Sequence, residues 1–483
     1  MSYPLSIPRI TAVILIIIIG AVFAGIAFPG GRTANAMELQ PIVRPIVSVM
    51  PSDCQPCEEC EECEECPECP PCGPEEATAY GVRWDQSTDT YTTGTITDAA
   101  FIGGDVTAWP IQEQMRRCVL SDAGEVQYYL CDTDSTKKAD CETAAVLNGT
   151  DGQVMVEVPQ FYFIQAHYGS YRYFFVANGP FRLTLPNSAV ITAEIHPAFY
   201  KGGSVTPADH RYVGAYEGAM WDASASAIAA TVHTDIYAAG DKLMSVSGYY
   251  PKTNETIVEF REMASARGAG WHQYDHAIHA MLSILYLTEY ADFNSQAKIG
   301  NGRTGLTGGT WTAGSYIGLT GMSNNKGDGT FSVSNGGANY DTDYMSYRGV
   351  ENWFGNTWKW VDGINVYNSS VLGSQLYLCT DHTAYTNNTY TGYSLAGALL
   401  TGDDFPSDII DTIGIYPRAG GGNFDTHLTD FYDTAHDNDA DSGWRVARVG
   451  GGAGDGTDAG AFYWDLYGDS ASAFMGIGGR LCY

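Results

Sequence analysis

Gly443–Tyr483 reads GWRVARVGGGAGDGTDAGAFYWDLYGDSASAFMGIGGRLCY. Two kinds of position interleave in it. Bulky apolar residues and arginines recur: Trp444, Arg445, Arg448, Phe462, Tyr463, Trp464, Leu466, Ile477, Arg480 and Leu481. Between them stand small or polar residues with no evident core role. The bulky set can bury apolar area at roughly 25 cal/mol per Å², and the glycines free the intervening backbone to turn. The pattern is that of a rigid frame carrying a free surface, and function tends to sit on loops held by such frames.

Three runs in this stretch also carry a resemblance: Val449-Gly450-Gly451, Ala459-Gly460-Ala461-Phe462-Tyr463 and Ile477-Gly478-Gly479-Arg480-Leu481-Cys482-Tyr483. They resemble the variable region that ends the target proteins of diversity-generating retroelements. Those proteins have a C-type-lectin-like fold of the formylglycine-generating-enzyme type. Ala453 departs from the family, which often has Trp there. The resemblance implies an α+β fold, a twisted antiparallel sheet with two helices and long loops. It also implies variable, ligand-binding positions at Gly452, Gly454, Asp455, Asp458, Asp465, Tyr467, Gly468, Ala473, Phe474 and Gly476. In that family variation arises at template adenines, typically in Asn codons, and Gly, Asp, Tyr, Ala and Phe are all reachable from AAC by changing its first two bases.

A second anchor lies upstream, Arg348 to Gly363, RGVENWFGNTWKWVDG. It looks like the GNVWEW motif of formylglycine-generating-enzyme-like domains. Trp358 and Trp360 alternate, so a strand would place both on one face, where two buried indoles could brace the loops above. Arg445-Val446-Ala447-Arg448 resembles the strand that follows in that family. Trp358, Trp360, Arg445, Arg448 and Arg480 are therefore the expected scaffold. The resemblance covers roughly residues 80–483.

The chain has 483 residues, a net charge of −31 and 44% hydrophobic residues. So acidic a chain repels phosphate backbones, which argues against nucleic acid as a partner. Ile10 to Phe28 is an unbroken apolar or small run, ITAVILIIIIGAVFAGIAF. About 20 such residues span a bilayer as a helix. Ala34-Asn35-Ala36 fits a signal-peptidase site, so residues 1–36 are either a retained anchor or a cleaved signal. Either reading exports the rest of the chain, as a membrane-anchored surface protein, a secreted one or a virion component.

Residues 37–78 read as a stalk. Cys54, Cys57, Cys60, Cys63, Cys66, Cys69 and Cys72 fall at every third residue among glutamates and prolines. A polyproline II segment, with three residues per turn, lines such sulfurs along one edge. Outside the cytosol they invite disulfides, and an odd number points to pairing between chains in a homo-oligomer. CxxC pairs also ligate zinc, but a structural site needs two pairs around a folded loop.

From Tyr80 the composition is that of a globular head, with a β-rich part, 79–190, and, as the resemblance implies, a ligand-binding part, 191–483, with its variable region at 443–483. Val154, Val156 and Val158 alternate as in a strand. Tyr171–Phe175 and Phe181–Leu185 read as strands joined by an Asn178-Gly179 turn. Helices are expected over Asn254–Arg267 and Tyr274–Tyr290, with Ile278, Met281, Leu282 and Leu285 on one face. Cys118, Cys131 and Cys141 can supply one disulfide. His272, His276 and His279 beside Asp275 have weak metal spacing and read as a solvated or aromatic-packed face. Residues 300–346 form a long Gly-rich loop, in which Asp328, Asp341 and Asp343 offer oxygens to calcium.

Formylglycine-generating enzymes use a pair of active-site cysteines, whereas the last third of this chain has only Cys379 and Cys482. Phosphate loops, nucleophile elbows and HExxH motifs are absent from the sequence. The favoured expectation is a non-enzymatic receptor or adhesin for a protein or carbohydrate ligand on a cell or virus surface. The alternatives are a structural fibre, virion or surface-layer component and, less favoured, an oxidoreductase. Sequons at Asn148, Asn254, Asn368 and Asn387 suit an exported protein of either kind.

Overall fold

The computed structural model describes residues 76–483 except 230–233, 308, 335–341, 370, 424–427, 429, 431 and 434–441. The chain divides into two compact units, Met1–Cys72 and Gly73–Tyr483, and the described residues all belong to the second. The apolar run Ile10–Phe28, the cysteine repeat and Asp341 lie outside the described residues. Among the described residues no helix is long and apolar enough to cross a membrane.

The fold is predominantly β, with 37% strand, 13% helix and three α-helices among the described residues. This overturns the expected α+β C-type-lectin-like fold of one small sheet with two helices. The reason lies in the distribution of β-branched and aromatic residues between turn-forming glycines, which makes strands along most of the chain. Even the 300–346 stretch, read as loop, contributes one: Phe331–Val333 pairs with Tyr344–Tyr347.

Three large sheets carry the architecture. In the first, of six strands, Ala79–Asp85 lies between Thr90–Thr97 and Tyr171–Ala177. The expected Asn178-Gly179 hairpin does not form. Tyr171–Ala177 instead turns back on Tyr162–Tyr168 in the register Tyr168↔Tyr171. The turn is Gly169-Ser170, with Gly169 at φ 65°, where glycine is the residue of least strain. With both edges of Tyr171–Ala177 paired, Arg182–Thr184 pairs with Val190–Thr192.

The second sheet has seven strands, with Gln153–Pro159 between Arg116–Leu120 and His210–Gly214. Val154, Val156 and Val158 are buried, and so are Met155 and Glu157 opposite them. Glu157 is held by the Tyr129 and Tyr212 hydroxyls, each at 3.0 Å, and by Arg116 at 3.2 Å. Toward the far end of this sheet lies the strand Leu481–Cys482, inside the edge strand His272–Gln273. Cys482 pairs with Val213 on one side and with His272 on the other.

The third sheet is built on the twelve-residue strand Trp358–Ser369. It pairs antiparallel with Gly373–Leu378 and Gly443–Val449 and parallel with Ile477–Gly478.

Helix α1, Ile257–Ser265, starts at a capping box: Thr256 accepts from the Glu259 amide, and Glu259 accepts from the Thr256 amide. Helix α2, His276–Tyr290, is capped by Asp275 and ends at Ala291 in the left-handed region. Its residues from His276 to Thr288 are all buried, so sheets enclose it rather than one face meeting solvent. The three histidines are accordingly buried. The His279 ring meets Trp464 edge-on at 4.9 Å, His276 Nε2 contacts the Cys379 carbonyl at 2.8 Å, and His272 lies 3.3 Å from Asp275. One core cluster runs from Tyr80 to Cys482. Cys131 and Cys141 form a disulfide, while Cys118, Cys379 and Cys482 are free and buried.

Candidate functional site

The frame under the C-terminal loops is aromatic and ionic. Trp358 and Trp360 share a core cluster with Val446, Tyr463 and Ile477. Trp360 Nε1 donates to the Glu255 carbonyl at 3.1 Å, and Trp358 meets Tyr463 edge-on at 4.5 Å. Beneath them Lys359 and Glu217 form an ion pair at 3.2 Å with both side chains 1% exposed. Glu217 also accepts from the Thr357 hydroxyl at 2.6 Å and from the Asn352 and Asn356 amides. Burial alone would raise a carboxyl pKa, yet Lys359, Arg480 and these hydrogen bonds hold Glu217 below its ordinary value.

Arg480 is buried and donates to the carbonyls of Gly214, Glu351 and Asn352 at 2.7, 2.5 and 3.0 Å. It thereby ties the chain end to two distant segments. Arg448 stacks over Trp358 at 4.9 Å and pairs with Asp465. Arg445 Nη1 donates to the Trp444 carbonyl at 2.9 Å.

The ten expected ligand-binding positions separate into three groups. Asp465, Gly452 and Gly476 are buried. Asp465 is ion-paired with Arg448. Gly452 and Gly476 close on the indole of Trp311: a Cβ on either would lie 2.5 or 2.8 Å from it. Asp455 and Asp458 are half-buried, and burial raises both carboxyl pKa values. Asp455 accepts from the Gly452 amide at 2.6 Å, closing the turn. Facing outward are Gly454, Tyr467, Ala473 and Phe474, with Gly468 half-buried beside them. Tyr467 is 64% exposed and Phe474 43%.

Trp311 is the residue that sequence reasoning missed. It lies in GGTWTAG, in the Gly-rich 300–346 stretch. Its ring meets Tyr316 at 5.0 Å and Phe474 at 5.9 Å, both edge-on. A lone large aromatic among glycines was the available signal, because such a ring needs a wall to pack on.

A second aromatic group extends this face. Tyr367 and Trp444 are directly paired across neighbouring strands, with rings 5.0 Å apart. Tyr377 and Tyr390 lie 6.0 and 6.1 Å from Trp444. Tyr390 and Leu395 are exposed. The Asn388 amide donates to Ser470 Oγ at 2.9 Å, which joins the loop bearing Tyr390 to the loop bearing Tyr467.

For calcium, Asp328 accepts the Arg117 amide at 2.8 Å and Asp343 is buried. Among the described residues, the one metal-like cluster of three is Cys131, Asp132 and Cys141, two of which are disulfide-bonded. Asn368 is 1% exposed, so its sequon is not presented for glycosylation in the fold. No protein-family model and no curated protein matches the chain.

Proposed function

We propose that this is an exported, surface-displayed receptor or adhesin. Its C-terminal loops bind a protein or carbohydrate, and a retroelement diversifies the residues they present. The observation that carries the reading is the split around Trp311. Buried Trp358, Trp360 and Trp464 fix the frame, while Tyr467, Ala473 and Phe474 stand outside it on glycine-linked loops. Exposed aromatics dominate binding hot spots because they bring large area at small entropic loss. The adjoining Tyr367, Tyr377, Tyr390 and Trp444 group suits the flat, apolar face of a sugar ring. The Cys131–Cys141 disulfide agrees with a non-reducing compartment.

On this reading Gly454, Tyr467, Gly468, Ala473 and Phe474 are free to vary, whereas Gly452 and Gly476 vary only if Trp311 moves. The test is a Tyr467→Ala/Phe474→Ala chain assayed on an array of glycans and surface proteins. Loss of at least tenfold in affinity for whatever the parent binds is expected. Unchanged binding would remove this surface from the reading. For diversification, the gene should have a nearby imperfect copy of its 3′ end that differs at adenines.

A further inference from the structure

A cleft of about 510 Å³ opens on another part of the surface, bordered by α1, the loop that follows it and the His382 turn. None of its lining residues belongs to the C-terminal loops. Its walls are Trp271 and a stacked pair of imidazoles, His272 and His382, with centroids 4.4 Å apart and planes 14° from parallel.

The hydrogen-bonding inventory around it is lopsided. The acceptors are already engaged. Asp362 takes two bonds from Arg261, both at 2.6 Å. Asp275 takes the Tyr385 hydroxyl at 3.0 Å and the Ile278 amide at 2.9 Å, and lies 3.3 Å from His272. The donors are not used up. Arg261 spends Nε and Nη2 on Asp362 and Asn387, and its Nη1 has no hydrogen bond among the described residues. Neither nitrogen of His382 has a hydrogen bond among the described residues, and neither do the amides of Ala269 and Gly270. Lys201 packs against Gly270 with its ammonium 2.9 Å above the Tyr483 ring centroid and forms no ion pair among the described residues.

Burial holds His382 down to about 3, so its ring is neutral and offers one N–H; with the carboxylates engaged, that N–H, the guanidinium and the two amides favour an acceptor-rich guest. We propose that this cleft binds a small ring-bearing carboxylate. The carboxylate is received by Arg261 Nη1, His382 and the Ala269–Gly270 amides, and the ring packs on the outer face of His382, the half-buried member of the imidazole pair, since Trp271 and His272 are buried behind it. Such a site stands out in a chain of net charge −31, whose long-range field repels anions and leaves recognition to local donors. Burial and the neighbouring Arg211 push Lys201 down to about 7, so a bound anion also favours its protonated form.

The test is calorimetric titration of the full chain with glucuronate, benzoate, glucose and inorganic phosphate. Glucuronate or benzoate should bind, and which of them binds distinguishes a sugar acid from an aromatic acid. Glucose and phosphate should bind at least tenfold more weakly. His382→Ala should weaken carboxylate binding about tenfold. Arg261→Lys, which keeps a cation beside Asp362, should weaken it as well. Both variants are checked for an unchanged melting profile, and Thr383→Ala serves as a second probe of the cleft rim if Arg261→Lys melts early. Failure of both carboxylates to bind overturns the proposal. So does binding that His382→Ala leaves untouched, or a preference for phosphate. Since no residue of 452–476 is altered, failure here leaves the adhesin reading standing, and failure of the Tyr467/Phe474 test leaves this one standing.

Discussion

Two residues show how burial rather than identity sets behaviour. Asp328 is held in a desolvated position beside Asp132, and its pKa is raised from 3.8 to about 6. The folded state thus prefers the protonated carboxyl. The stabilisation from that preference is full below the unfolded value of 3.8 and is lost as pH rises through about 6. Asp328→Asn keeps the acceptor for the Arg117 amide and removes the charge. It should raise stability at pH 8 by about 3 kcal/mol, since one pKa unit is worth about 1.4 kcal/mol, and should change little at pH 3.5. Denaturant melts at the two pH values check this, and an equal effect at both would refute it. Gly476 is the second case. A methyl there would meet Trp311 at 2.8 Å, so Gly476→Ala should destabilise by about 1–3 kcal/mol through overpacking. Gly454→Ala, with its nearest neighbour at 3.3 Å, should fall within about 0.5 kcal/mol. If urea midpoints showed the reverse order, Trp311 would not be the wall of this site.

At the scale of elements, the helices were the legible part. Thr256-Glu259 announces an N-terminus, and the 278-281-282-285 spacing announces a packed helix, so both expected helices form within a few residues of their forecast ends. The capping box gives a direct check. Thr256→Ala should lower stability by about 1 kcal/mol, measured as a shift in urea midpoint with unchanged slope, and no shift would mean that the cap is replaced by solvent. Strand pairing was less legible. Asn178-Gly179 is a good hairpin turn in isolation, but Tyr171–Ala177 had both edges taken by partners near and far in sequence. Local turn chemistry cannot report that competition. The same blindness affected the site. Tyr467 and Phe474 entered only as positions the resemblance implied, and both are exposed. Trp311, more than a hundred residues upstream, could not be placed beside them, because its contacts with Gly452, Gly476 and Phe474 exist only after folding. The lectin-like α+β expectation failed for a related reason: it rested on two short motifs, while strand content is decided by the whole length between them.

For the unit Gly73–Tyr483 as a whole, the segment Arg480–Tyr483 is a structural member. Leu481–Cys482 is a strand inside the second sheet, flanked by His210–Gly214 and His272–Gln273. Arg480 beside it donates to carbonyls of Gly214, Glu351 and Asn352, and the Tyr483 ring packs on Trp271 at 5.0 Å and under Lys201. Removing residues 481–483 exposes two strand edges and uncovers Trp271 and the buried cleft wall together. Each buried amide or carbonyl left without its partner is penalised by about 1–3 kcal/mol, and a domain's whole margin is about 5–15 kcal/mol. The truncated chain is therefore expected to lose its cooperative melt, and protease should cut in the first sheet, which the deletion does not touch, as fast as near the new terminus. The double change at Tyr467 and Phe474 should shift the melt far less, by about 1 kcal/mol or under, because both residues are exposed. Limited proteolysis and thermal melts of the two proteins side by side decide between a segment that knits the unit together and one that only decorates it. A truncated chain with an intact first sheet would establish the second.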